Sequence, residues 1–108
     1  MKALKQSFAI PIHQEEIEDF CHRWKIKELY LFGSVLRDDF NEQSDIDVMV
    51  QFFPNPGWGL EFVTMNDELE QIFRRKVDLV TKKSIEKSEN WIRREDILST
   101  AKLIYVKE

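Results

Sequence analysis

Two aspartates one residue apart interrupt an otherwise apolar run, Asp45-Ile46-Asp47-Val48-Met49-Val50. Its apolar and β-branched composition predicts a strand from Asp45 to Phe53. Side chains alternate across a strand, so Ile46, Val48 and Val50 line one face while Asp45 and Asp47 share the other. Two like charges held side by side at the lip of a buried sheet repel each other unless a cation lies between them. Upstream, the apolar run Leu29 to Phe32 stops at Gly33-Ser34. Ser34 is placed to cap a short helix (Val35, Leu36, Arg37), whose first N–H groups would make an anion site at the end of the strand. A cation site next to an anion site predicts a metal-dependent site for a nucleotide triphosphate.

The remaining chain supplies a frame for that site. Ile17, Phe20, Cys21 and Trp24 fall at i, i+3, i+4 and i+7, which predicts an amphipathic helix from Gln14 to Trp24, with Glu15, Glu16, Glu18 and Asp19 near its N-terminal turns. Lys27 to Phe32 reads as a buried strand. Pro54, Asn55, Pro56 and Gly57 form a turn cluster, and Trp58 to Lys76 has the spacing of a long helix, with Asn66-Asp67 as a point where it kinks or splits in two. Lys76 to Thr81 is a third short strand carrying Asp78. Residues 83 to 99 are predicted helical, and Lys102 to Val106 reads as a closing strand or an extended tail. The expected fold is α/β (α+β): a small mixed sheet with helices packed mainly on one face. At 108 residues it predicts a single domain, 1–108.

If the strand of Asp78 lies beside that of Asp45 and Asp47 and all three carboxylates face one way, they can hold two Mg²⁺ ions roughly 3.5 to 4 Å apart, the geometry of phosphoryl and nucleotidyl transfer. The bland alternative has Asp45 capping a strand, Asp47 paired with Arg37, and Asp78 as an edge residue. Apolar residues at 43% and charged residues at 33% describe an ordinary soluble protein. No apolar stretch reaches the length of a membrane span, and the opening MKALKQSFAIPI lacks a secretory signal, so the expected compartment is the cytoplasm. Cys21 is the one cysteine, which excludes an intramolecular disulfide and a cysteine pair for zinc. Residues 1 to 70 carry 6 Lys/Arg against 14 Asp/Glu, whereas residues 71 to 108 carry 10 against 6. The basic half suits a polyanion, an acidic partner or a solvated face; direct nucleic-acid binding is not expected. No P-loop and no dinucleotide-binding glycine pattern is present. Phe52, Phe53 and Trp58, around the Pro-Gly turn, are candidates for stacking a base or touching a partner.

Gly33-Ser34, then Asp45-Ile46-Asp47 after a ten-residue interval, then Asp78 in an apolar run resembles the polymerase β-like nucleotidyltransferases. The LFGS opening, the SDIDV box and the short length look like the minimal nucleotidyltransferases that act as antitoxins beside HEPN-domain ribonuclease toxins. That resemblance covers Trp24 to about Lys82 and implies roles. Gly33 and Ser34 would contact the β,γ-phosphates of ATP, and Asp45 and Asp47 would bind two Mg²⁺. Asp78 would complete the catalytic metal and favour deprotonation of the acceptor hydroxyl. Arg37 would contact phosphate or pair with Asp38, Asp45 or Asp47. The implied activity is transfer of AMP to a hydroxyl, a tyrosine of the toxin; the alternatives are a non-catalytic antitoxin acting by occlusion and a transferase for a small-molecule acceptor. One departure stands out. Where family members often have a glycine-containing segment, this chain has Val35, Leu36, Arg37, Asp38 and Asp39, so the backbone there must do without glycine's freedom at positive φ.

Overall fold

A computed structural model describes residues 10–38, 40–41, 43–54, 59 and 61–107. Helix α1 spans Gln14–Arg23 and buries Ile17, Phe20 and Cys21, the stripe expected from spacing, with Glu15 and Glu16 in the first turn and His22 and Arg23 in the last. Acid at the N-terminal end and base at the C-terminal end both complement the helix dipole. Lys25, at φ 58°, reverses the chain into β1 (Ile26–Phe32). A single 3₁₀ turn, Gly33–Leu36, leads by way of a loop into β2 (Ile46–Phe52).

Helix α2 runs unbroken over Glu61–Phe73. The turn residues Asn55, Pro56 and Gly57 and the predicted helix start at Trp58 lie outside the described residues. The expected kink at Asn66 is absent because Asn66 has another task. Its Oδ1 accepts a hydrogen bond from the backbone N–H of Leu79 (3.2 Å), and Glu70, one turn on, accepts from that of Val77 (3.1 Å). Both donors belong to β3 (Val77–Thr81), the edge strand, whose outward N–H groups would otherwise invite another chain.

The expected helix over 83–99 is two helices, α3 (Lys82–Glu86) and α4 (Trp91–Thr100). Each has its own cap. Thr81 Oγ1 accepts from Ser84 N at 3.1 Å, and Asn90 Oδ1 accepts from Arg93 N at 3.1 Å. Ser and Asn compete for backbone groups in this way, so a Ser88-Glu89-Asn90 stretch favours a cap over helix interior. The chain closes as β4 (Lys102–Val106).

The sheet order is β3-β2-β1-β4, with β2 and β3 parallel and the other neighbours antiparallel. Its larger apolar cluster joins α1 and α2 to Leu29, Leu31, Ile46, Val48, Val50, Val77 and Leu79. A smaller one, Phe32, Met49, Ile85 and Ile97, attaches α3 and α4 to the other side. Met49 and Asp47 are two residues apart, so the carboxylate face is the side that α3 and α4 partly cover. Cys21 is fully buried in the larger cluster, and burial pushes its thiol far above the ordinary cysteine range. Cys21 is expected to resist a thiol-modifying reagent in the native chain and to react at once in denaturant, as intact mass would show; fast native labelling would contradict the packing of α1.

Candidate functional site

The register between β2 and β3 fulfils the first condition read from the sequence. Asp47 and Asp78 are direct partners across the parallel ladder, flanked by the pairs Ile46 with Val77 and Val48 with Leu79. Asp45 precedes β2 by one residue and shares the side of Asp47. Asp47 is half-buried, whereas Asp45 and Asp78 are exposed. Burial raises the carboxyl of Asp47 above the ordinary carboxylate range, and the negative charges of Asp78 and Asp45 raise it further; Arg93 and Arg37 oppose them. Asp47 therefore lies within the field of the other two.

Among the described residues, no three His, Cys, Asp or Glu side chains gather closely enough to cage an ion by themselves. The donor set nevertheless fits Mg²⁺, which prefers hard carboxylate oxygens and keeps waters and substrate phosphates in its shell. The direct pairing of Asp47 with Asp78 across the ladder is the observation that bears on this, because a divalent cation would offset the like charges placed side by side there.

Gly33 has φ +78°, and a Cβ built on it would overlap Asp47 Oδ2 and come within 3.2 Å of its Cγ. Glycine is required there twice: for a left-handed backbone and for the close approach of a carboxylate. Ser34 does not cap the following turn as expected. Extended Phe32 precedes that turn with no side-chain cap, and the Ser34 hydroxyl donates to the backbone carbonyl of Asp45 (3.3 Å). The turn is thus tied to the first aspartate. Arg37 is exposed on extended backbone just after the turn, near enough for its charge to act on Asp47.

The loop back to β2 has a fastening that the sequence did not suggest. Arg75 Nη1 donates to the carbonyls of Asn41 (3.1 Å) and Ser44 (3.4 Å), and its guanidinium lies 4.5 Å over the Phe40 ring. Asn41 Oδ1 accepts from Gln43 N at 2.8 Å, a local turn. Val35, Leu36, Arg37 and Asp38 manage without glycine's freedom: among the described residues only Lys25 and Arg74, of the non-glycines, have positive φ. Arg75 also lines a cleft of about 410 Å³ with Gln43, Ser44, Asp45, Arg74 and Lys76.

Two cationic residues of the site, Arg75 and Arg93, were read from sequence only as members of a basic half. Phe52 and Phe53 are at the far end of β2 from the carboxylates, five or more residues at roughly 3.3 Å each from Asp47. Phe52 packs on the larger cluster, which removes it as a base-stacking candidate, and Trp58 lies outside the described residues.

A family model described as the nucleotidyltransferase domain matches residues 14–104. MJ1215 of Methanocaldococcus jannaschii is 42% identical over 73 residues, 68% of this chain and 80% of that protein. The protein adenylyltransferase MntA of Thermococcus cleftensis is 34% identical over 73 residues, covering 68% and 70% of the two chains. A crystal structure of a toxin-antitoxin with AMP-PNP superposes with a TM-score of 0.64 at 19% identity, covering 90% of this chain and 76% of that one.

Proposed function

The chain belongs to the nucleotidyltransferase domain family, and from that premise we propose that it moves AMP from ATP to a tyrosine hydroxyl of a HEPN-domain ribonuclease toxin and thereby acts as that toxin's antitoxin. The observation that carries the reading is the register of Asp47 against Asp78 beside the glycine turn at Gly33. The name of the Thermococcus relative supports a protein acceptor, and the AMP-PNP complex of the structural neighbour supports a nucleotide on this fold.

In this reading Gly33 and Ser34 receive the β,γ-phosphates, with Arg37 alongside, and Asp45 and Asp47 would hold Mg²⁺. The metal, when bound, offsets charge on the phosphoryl oxygens and favours the ionised acceptor. Asp78 faces the acceptor: its carboxylate takes the hydroxyl proton as the oxygen bonds to the α-phosphorus and the bond to the β-phosphate oxygen breaks, releasing pyrophosphate. Asp78 is exposed and β3 is the sheet edge, so a bulky acceptor can reach it. This favours a protein over a small molecule. No helix among the described residues is long and apolar enough to cross a membrane.

Incubation of the chain with the toxin encoded beside it, ATP and Mg²⁺ is expected to add AMP to the toxin, read by intact mass, and an Asp45→Ala/Asp47→Ala variant is expected to add none. Unmodified toxin, still silenced by that variant, would replace transfer with occlusion.

A further inference from the structure

Helix α4 brings a cation to the carboxylate face that the roles above leave unused. Ile97 is buried against the cluster of Phe32, Met49 and Ile85, and Met49 shares its side of β2 with Asp47. Arg93 precedes Ile97 by four residues and so lies on the same stripe of α4, one turn nearer its N-terminus. The side chain of Asn90 fixes that turn by accepting the Arg93 N–H. Phe32, in the cluster that Ile97 joins, is the direct ladder partner of Asp47 and immediately precedes Gly33, so this stripe of α4 packs beside the carboxylates and the glycine turn. Yet Arg93 is exposed, and no ion pair among the described residues includes it.

A cation serving only to neutralise Asp47 would be expected to close onto it. An arginine on the stripe that packs beside the carboxylates, exposed and in no ion pair among the described residues, suits a polyanion that enters next to them. A guanidinium is also the side chain best shaped to grip phosphate oxygens, in a bidentate fork. We propose that Arg93 is a nucleotide-binding residue that holds phosphate oxygens of the triphosphate from the α4 side, facing the Gly33-Ser34 turn. This rests on the reading of the site as ATP-dependent, and it gives the short, separately capped α4 a purpose beyond covering Met49.

The test measures binding of two probes by calorimetry with Mg²⁺: a non-hydrolysable ATP analogue, and inorganic tripolyphosphate, which has the phosphate chain without the nucleoside. Arg93→Ala is expected to weaken both by the same factor, about 10- to 100-fold. Arg93→Lys should recover part of the loss, and in transfer assays Arg93→Ala should raise KM for ATP more than it lowers kcat. The ligand-free melting temperature should stay close to wild type, because the side chain is exposed. Unchanged affinity for both probes, or a loss confined to the nucleotide analogue, overturns the proposal while leaving the transferase reading intact. A wild-type chain that binds neither probe overturns both.

Discussion

Replacing Asp47 by Asn is expected to cut AMP transfer sharply and also to raise the melting temperature of the ligand-free chain at neutral pH. Both effects follow from the same placement. In the folded chain burial, and then the charges of Asp78 and Asp45, raise the Asp47 carboxyl above its unfolded value. Between the two values the folded state binds more protons than the unfolded one, so stability falls as pH rises through that interval. Above it the full cost of an ionised Asp47 is present; below the ordinary carboxylate range it is gone. Asn keeps the shape and lacks the charge, so it removes that cost. The melting-temperature advantage of Asp47→Asn should therefore be largest at neutral pH and vanish as pH falls below the ordinary carboxylate range. Transfer should drop by about 10²-fold or more, the usual consequence of removing one preorganised charged group from a reacting centre. Mg²⁺ with an ATP analogue should reverse the order of stabilities, since ligand binding stabilises only the chain that binds. If the variant melts below wild type at neutral pH, Asp47 is a structural residue and the repulsion argument fails.

Much of this arrangement was legible because it rests on short periods. Ile46, Val48 and Val50 have to face a core, and that alone puts Asp45 and Asp47 on the other side of β2. Ile17, Phe20 and Cys21 identify α1 in the same way. The pairing of Asp47 with Asp78 is of another kind. Neither strand contains its own register, so sequence could pose it only as a condition; the crossover through α2 decides it. The two cations were hidden for the same reason. Arg75 has partners 34 and 31 residues away, and in sequence it is one base among several. Arg93 becomes visible only once Ile97 is known to pack beside Met49.

Local chemistry also overrode periodicity. Ile85, Ile92 and Ile97 suggested a single helix, but Asn90 caps a new one, because its side chain satisfies an N–H that a continuing helix would have bonded elsewhere. Ser34 was expected to act as a cap on similar grounds. Its hydroxyl instead donates to Asp45, since the bend at Gly33 turns the Ser34 side chain toward β2.

Gly33→Ala is expected to leave a folded chain with little transferase activity. Two costs arise at that position, and they separate experimentally. The first is backbone: an alanine at φ +78° loses about 1–2 kcal/mol, enough to lower the melting temperature of a domain of this size by several degrees. The second is contact, because the new Cβ would occupy the place of Asp47 Oδ2. That oxygen is the end of a side chain, so the fold can yield by swinging the carboxylate aside, and the loss falls on the site rather than on stability. In an Asp47→Ala background the overlap disappears: the Asp47 Cβ, 3.5 Å away, is in ordinary contact, so only the backbone cost remains. Melting temperatures and Mg²⁺-dependent ATP-analogue binding of the two single variants and the double variant form a cycle. The expected outcome is strongly non-additive binding, with Gly33→Ala costing much less once Asp47 has been shortened. Additive losses in binding would mean that the turn at Gly33 acts on the nucleotide without regard to where it holds the carboxylate.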